Sequence, residues 1–206
     1  MNAQTQKQLI AGPVGAIECA IDQPLGGKAP RGVAVVCHPN PTQGGTMDNK
    51  VVQTLARAFV QLGYRTVRFN FRGIGGSAGG WDEGRGEVDD ALAVIQALRE
   101  PGLPLVLAGF SFGGYVASRA AQRLPEDATA ERLVLVGPAT SRFDTAAVPA
   151  DTLVIHGETD DVVPLAAVLD WARPQSLPVV VVPGVGHFFH GKLPLLKDIV
   201  LRNWQA

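Results

Sequence analysis

The sequence predicts an α/β protein with a mostly parallel central sheet of about seven to eight strands and helices on both faces. From residue 32 onward, short apolar runs alternate with segments of helical periodicity, which is the pattern of successive strand–helix units. Runs such as Val33–Val36 and Val179–Val182 contain no polar residue, as is typical of strands covered by helices on both sides. The 206 residues show no internal repeat and no linker, so we expect a single domain over residues 1–206.

The strands are predicted where apolar runs are bounded by glycine, proline or short polar residues. Residues 7–21 alternate in polarity and contain Gly12 and Pro13, so we expect an antiparallel hairpin that turns at these two residues. The predicted strands are Val14–Ile21, Gly32–His38, Tyr64–Phe71, Leu103–Phe110, Arg132–Gly137, Thr152–His156 and Leu177–Pro183.

Helices are predicted where apolar residues recur every three to four positions. Two of these segments carry start signals as well: acidic residues open the second one, and Pro164 immediately precedes the fourth. The predicted helices are Asn49–Leu62, Glu87–Arg99, Phe112–Leu124, Leu165–Ala172 and Leu195–Trp204.

Composition argues against several classes of function. The formal net charge of −1 gives no bulk attraction to nucleic acid. Cys19 and Cys37 lack C-x-x-C spacing, so neither a redox pair nor a zinc knuckle is indicated. Residues 1–10 have no apolar signal core, and no apolar run approaches about 18 residues. We therefore expect a cytoplasmic protein that binds neither membranes nor nucleic acid, and the sequence specifies no oligomeric state.

The most informative segment is a G-x-S-x-G motif formed by Gly109, Ser111 and Gly113. An apolar strand is predicted before the motif and a helix after it, which is the context of a nucleophile elbow. In such an elbow, a tight turn lifts the serine hydroxyl above the sheet, and glycine on either side leaves room for the turn. This pattern predicts Ser111 as a nucleophile.

A serine nucleophile needs a base and a group that orients the base. His187 lies in a glycine-rich loop after the last predicted strand, and the loop after the preceding strand contains Asp160 and Asp161. Because the carboxyl ends of parallel strands meet at one edge of a sheet, we expect these side chains to lie near Ser111. The order serine, aspartate, histidine along the chain is that of α/β-hydrolases.

With these motifs the sequence resembles the α/β-hydrolase superfamily over nearly its whole length, and more narrowly its small lidless bacterial serine hydrolases. The blocks that carry this resemblance are His38-Pro39-x-Pro41, Gly44-Gly45-Thr46-Met47 with Asn49-Lys50, Arg68-Phe69-Asn70-Phe71-Arg72-Gly73, the elbow, His156-Gly157-Glu158-x-Asp160 and His187-Phe188-Phe189-His190-Gly191.

The resemblance implies roles for individual residues. It makes Ser111 the nucleophile, His187 the base and Asp160 the acid, because Asp160 occupies the aspartate of the family's H-G-x-x-D block. Asp161 is the rival for the role of acid. The sequence departs from the family at Asn40, where relatives often carry a second histidine.

An acyl transfer also needs two backbone N–H donors for the oxyanion, one of them on the residue that follows the nucleophile, here Phe112. The second donor is expected from the loop after the strand Gly32–His38. Pro39 and Pro41 have no N–H group, so we expect the amide of Asn40 to supply it.

Two other motifs point to cofactors but lack the context they need. Residues 73–78 fit a dinucleotide fingerprint, yet no helical pattern starts there. His187 and His190 have H-x-x-H spacing without a third ligand in a recognisable position. We therefore expect no cofactor and no metal.

The motifs together predict a serine hydrolase that cleaves carboxylic esters or thioesters of small soluble substrates through an acyl-serine intermediate. The segment from Pro138 to Asp151, where larger relatives insert a lid, is too short for a cap domain. Three alternatives remain at this point: a lactone hydrolase of the dienelactone type, an acyl-thioesterase, and a non-catalytic protein that uses the hydrolase fold to bind a small molecule.

Overall fold

The computed structural model describes residues 5–204 and contains eight strands. The strands are β1 (Gln6–Gly12), β2 (Gly15–Asp22), β3 (Val33–Cys37), β4 (Arg65–Phe69), β5 (Leu105–Phe110), β6 (Arg132–Val136), β7 (Leu153–Gly157) and β8 (Val179–Val182). They form one sheet in the order β1-β2-β4-β3-β5-β6-β7-β8. Neighbouring strands from β4 to β8 are parallel, whereas β2 runs antiparallel to both of its neighbours. The mostly parallel sheet predicted from the sequence is confirmed.

The amino-terminal hairpin is confirmed with a shift of one residue. Gly12 pairs with Gly15, so the two-residue turn consists of Pro13 and Val14 rather than Gly12 and Pro13. Gly15 has a φ of 128°, a conformation that a residue with a side chain rarely adopts. Gly15 is therefore the residue of this turn that needs the conformational freedom of glycine. The turn lies one residue later in the chain than predicted.

Five helices cover the sheet: α1 (Lys50–Gln61), α2 (Arg85–Leu98), α3 (Phe112–Arg123), α4 (Leu165–Ala172) and α5 (Leu193–Arg202). Helices α1 and α5 pack on one face, and α2, α3 and α4 pack on the other. Helix α5 begins two residues earlier than expected, because Pro194 fits in the first turn, where no backbone N–H needs an acceptor. Within residues 5–204, no helix has both the length and the apolar character needed to cross a bilayer.

The central strands are buried on both sides, as their unbroken apolar sequences predicted. The same prediction is wrong for Val179–Val182, because β8 lies at the edge of the sheet and Val181 is 37% exposed. In β3, the side chains of Val33, Val35 and Cys37 join the core beneath α2 and α3. Ala34 and Val36 join the core beneath α1 and α5. Burial raises the pKa of the Cys37 thiol, so it packs as a small apolar residue rather than as a reactive group.

Candidate active site

All of the predicted site residues follow the carboxyl ends of strands that lie near one another in the sheet. Ser111 comes directly after β5, and Asn40 follows β3, its neighbour in the sheet. Asp160 and His187 follow β7 and β8, which are also paired with each other. The parallel sheet thereby brings residues far apart in the sequence to the same edge.

Ser111 occupies a sharp turn between β5 and α3. Its φ is 55° and its ψ is −119°, a strained conformation that costs on the order of 1–3 kcal/mol. A methyl group at Gly109 would overlap the carbonyl of Gly113, and one at Gly113 would overlap the carbonyl of Cys37. These two positions therefore accept only glycine, and the turn has the geometry of a nucleophile elbow.

Neighbouring backbone holds the strained turn in place. The Ser111 N–H donates to the Val136 carbonyl at 2.9 Å, and the Ser111 carbonyl accepts from Ala139 N–H at 3.2 Å. Both partners lie at the end of β6 or just after it, so the next strand of the sheet fixes the serine.

His187 and Asp160 form a short hydrogen bond, with 2.6 Å between His187 Nδ1 and Asp160 Oδ2. The other carboxylate oxygen of Asp160 accepts from the backbone N–H groups of Val162 at 2.9 Å and Val163 at 2.7 Å. Asp161 is exposed and makes no hydrogen bond to His187. The structure pairs Asp160, not its neighbour, with the imidazole.

The hydrogen bonds keep Asp160 ionised although it is buried. Burial alone would raise the pKa of this carboxyl, but the hydrogen bonds from His187 and the Val163 N–H outweigh burial and hold the pKa below its ordinary value. A charged Asp160 fixes the Nδ1–H tautomer of His187 and leaves Nε2 free to accept a proton.

His156 lies on the other side of Asp160. Its Nε2 is 3.0 Å from the Val163 carbonyl oxygen and 3.5 Å from Asp160 Oδ2. Burial lowers the pKa of His156, so the ring is neutral and presents an N–H dipole rather than a charge. His156 thus supports the turn at residues 160–163 that holds the aspartate.

His38 orients the loop after β3. Burial lowers the pKa of His38 to about 4, so the ring is neutral. Its Nδ1 lies 2.7 Å from the Pro39 carbonyl oxygen, and its Nε2 accepts from Phe71 N–H at 3.1 Å. The Pro39 carbonyl and the Asn40 N–H belong to the same trans peptide unit, so they point in opposite directions. Because His38 holds the carbonyl, the Asn40 N–H points away from the histidine ring.

The two expected oxyanion donors have no other partner in the described part of the chain. Neither Phe112 N–H nor Asn40 N–H donates a hydrogen bond to any of residues 5–204. Phe112 is the first residue of α3, where the helix dipole adds positive potential. The Asn40 side chain serves separately as a cap and accepts from the N–H and the hydroxyl of Thr42.

A cavity of about 480 Å³ opens over Ser111 and His187. The Ser111 hydroxyl makes no hydrogen bond of 3.5 Å or less to the imidazole or to any other residue within 5–204. Catalytic hydrogen bonds are often long in ligand-free enzymes and tighten when substrate binds. The cavity wall also contains Pro39, Asn40, Gln43, Gly44, Gly45, Asn49, Arg142, Asp161, Val162 and Phe188.

The wall includes residues that the sequence did not identify. Arg142 lies in the irregular segment between β6 and β7, which carries no motif. Phe188 is 43% exposed and stacks edge-on against His187, whereas Phe189 is buried in the core. A second cavity, of about 410 Å³ beside α1, contains no serine, cysteine or histidine.

The segments that gave weaker signals in the sequence also have a described structure. No helix begins at residues 73–78, since α2 starts at Arg85. Arg72 forms a buried ion pair with Asp90 at 2.8 Å. Across residues 5–204, no group of three or more His, Cys, Asp or Glu side chains is arranged to hold a metal ion.

The order of the strands, the strained turn at the serine and the position of the site at the carboxyl edge of the sheet define an α/β hydrolase of the serine-hydrolase type. Residues 28–150 match the Hydrolase_4 family, described as serine aminopeptidase S33, and the chain belongs to this family.

Similar proteins agree with this assignment. The chain is 32% identical to the protein RP471 of Rickettsia prowazekii in an alignment of 197 positions, which covers 88% of this chain and 81% of that protein. XC6422 of Xanthomonas campestris, described as an α/β serine hydrolase without a lid, is 41% identical with a TM-score of 0.89, covering 98% of this chain and 94% of its own. An α/β serine hydrolase homologue from Coxiella burnetii is 40% identical with a TM-score of 0.85. The match covers 98% of this chain and 97% of the Coxiella chain.

Proposed function

We propose that this protein is a serine hydrolase that cleaves carboxylic esters, including thioesters, of small substrates. The observation that carries the proposal is the hydrogen bond between His187 and Asp160, with His187 lining the same cavity as the strained Ser111. A hydroxyl at such a turn, with an oriented base in its cavity, is the arrangement that acyl transfer requires.

In the acylation step, Ser111 Oγ attacks the carbonyl carbon of the ester while His187 Nε2 takes the hydroxyl proton. Asp160 stabilises the imidazolium that forms and remains ionised itself. The carbonyl oxygen becomes an oxyanion that accepts hydrogen bonds from Phe112 N–H and Asn40 N–H. The carbon–oxygen or carbon–sulfur bond then breaks, and His187 returns the proton to the leaving alcohol or thiol.

Deacylation repeats these steps with water in place of the serine. His187 takes a proton from water as the water oxygen attacks the acyl carbon, and the same two N–H groups stabilise the second oxyanion. Collapse breaks the bond to Ser111 Oγ, which recovers its proton from the imidazolium. The products are a carboxylic acid and the free enzyme.

The lack of an apolar cover over the cavity favours small acyl groups. A volume of about 480 Å³ lies in the lower half of the range for small-molecule sites. The segment between β6 and β7 forms neither helix nor strand and adds no apolar cover. We expect activity on aryl esters to peak at short acyl chains, and a steady rise from acetate to palmitate esters would contradict this.

A substrate panel tests the proposal directly. Purified protein is assayed with an aryl ester, an acyl thioester, a lactone and an aminoacyl anilide, and S111A is compared with S141A, an exposed serine in the β6–β7 segment. We expect ester or thioester turnover in the wild type and in S141A, and its loss in S111A. Turnover of the anilide alone would make the protein a peptidase, and binding without turnover would make it a receptor.

A further inference from the structure

We infer that the Arg142 guanidinium binds a negatively charged group on the substrate, so that the site selects esters whose acyl chain ends in a carboxylate. This inference rests on the proposed ester hydrolysis and names the substrate class for the same site.

Arg142 is a cation on the cavity wall with no partner in the described structure. It lines the same cavity as Ser111 and His187 and is exposed to solvent. Within residues 5–204 its guanidinium forms no ion pair and no side-chain hydrogen bond, whereas Arg72 and Arg119 are both paired with aspartates. An unpaired guanidinium offers a planar fork of donors that matches a carboxylate.

The backbone that carries Arg142 is tied to the nucleophile. Arg142 N–H donates to the Ala139 carbonyl at 3.1 Å, and Ala139 N–H donates to the Ser111 carbonyl at 3.2 Å. Two hydrogen bonds therefore connect the arginine to the elbow.

Side-chain packing fixes the rest of the segment. Phe143, next to Arg142, stacks against Phe112 with ring centroids 4.9 Å apart and against Tyr115 at 5.0 Å. Trp171 Nε1 of α4 donates to the carbonyls of Thr145 at 3.1 Å and Ala146 at 3.2 Å. A segment held at both ends fixes the backbone of Arg142 relative to Ser111, so substrate binding has to order only the arginine side chain.

A negatively charged side chain on the same cavity wall determines which substrates are disfavoured. Asp161 lines the same cavity, is exposed, and does not pair with Arg142. The charge of Asp160 is already compensated by three hydrogen bonds. The cavity wall therefore has one positive and one negative side chain. A carboxylate at the end of an acyl chain is attracted by Arg142 and repelled by Asp161.

A matched set of substrates isolates the terminal charge. The 4-nitrophenyl esters of hexanoic acid, adipic acid (as the monoester) and 6-aminohexanoic acid have the same chain length and end in a methyl, a carboxylate and an ammonium group. For each variant, the adipate-to-hexanoate ratio is kcat/KM for the adipate ester divided by kcat/KM for the hexanoate ester. We expect R142Q to lower this ratio by about tenfold, because one charge-assisted contact is lost. R142K should restore part of the ratio, and D161N should raise it.

The control is R202Q, since Arg202 is an exposed arginine in the last turn of α5, away from the cavity. R202Q should leave the ratio unchanged, and high salt should reduce the ratio of the wild type but not that of R142Q. An adipate-to-hexanoate ratio that is the same in R142Q and wild type would overturn the inference while ester hydrolysis stands. Failure of the wild type to cleave any of the three esters would overturn both proposals.

Discussion

The floor and the rim of the cavity are built in different ways. The floor consists of Ser111 and His187, which line the cavity, together with Asp160, which holds the imidazole from behind; these residues are 7%, 3% and 8% exposed. The rim consists of Arg142, Asp161 and Phe188, which are all exposed. Backbone and buried hydrogen bonds fix the floor, whereas the rim side chains project from loops. We therefore expect the reaction rate to depend on the residues at the strand ends and the choice of substrate to depend on the rim side chains.

If this division is correct, changes on the floor should affect the rate for every substrate, and changes on the rim should affect the choice among substrates. The adjacent residues Asp160 and Asp161 make the sharpest case, since one belongs to each region.

The largest contrast is expected between D160N and D161N. D160N should lower kcat for a neutral aryl ester by about 10³–10⁴, because the imidazole loses the charge that fixes its tautomer. D161N should change the same kcat by less than about fivefold, because its carboxylate contacts neither the imidazole nor the serine. Steady-state kinetics on both variants checks this, and equal losses would remove the distinction between floor and rim.

A smaller loss is expected at His38, which supports the floor without touching substrate. H38A frees the Pro39–Asn40 peptide unit, and we expect kcat to fall by about 10–100-fold with KM less affected, since the oxyanion exists only after attack. H38N can still donate to the Pro39 carbonyl and should recover part of kcat. If KM rather than kcat changes, His38 only shapes the pocket.

The buried histidines also predict how stability depends on pH. The pKa of His38 is about 4 in the folded protein and about 6.5 in an unfolded chain. Between these values the unfolded state binds more protons, so stability falls as the pH drops, by about 2 kcal/mol from His38 between pH 7 and pH 5. His156, whose pKa burial also lowers, acts in the same direction.

Urea unfolding at pH 7 and pH 5 measures this effect. H38N lacks the titrating group and should lose about 2 kcal/mol less than the wild type over the same interval. An identical loss in both proteins would show that His38 does not contribute to the acid sensitivity.

The smallest effect is expected at Phe188 on the rim. Its ring packs edge-on against His187 and is 43% exposed, so F188A removes part of the cavity wall and leaves the hydrogen bonds of the floor in place. We expect a change in KM of about two- to fivefold that grows with acyl chain length, because the lost contact is apolar. A loss of kcat that is equal for all chain lengths would place Phe188 in the floor instead.

The sequence predicted the floor because its signals are local. Continuous apolar runs identified the parallel strands, and G-x-S-x-G required a turn that the overlaps at Gly109 and Gly113 explain. The choice of Asp160 over Asp161 came from the family resemblance, because Asp160 occupies the aspartate of the family's H-G-x-x-D block.

The rim could not be predicted from local pattern. Arg142 lines the cavity because the segment between β6 and β7 is held by two helices: its Phe143 packs against α3, and Trp171 of α4 donates to its backbone. Phe188 and Phe189 are adjacent and identical in type, yet one is exposed and the other is buried. Such orientations follow from tertiary contacts, and no periodicity in a loop encodes them.

Covalent labelling with a fluorophosphonate, followed by mass spectrometry of the digested protein, shows whether Ser111 is the reactive serine. We expect one modified residue, Ser111, with no labelling in S111A and much slower labelling in H187A. Equal labelling of wild type and S111A, or modification of another serine, would contradict it.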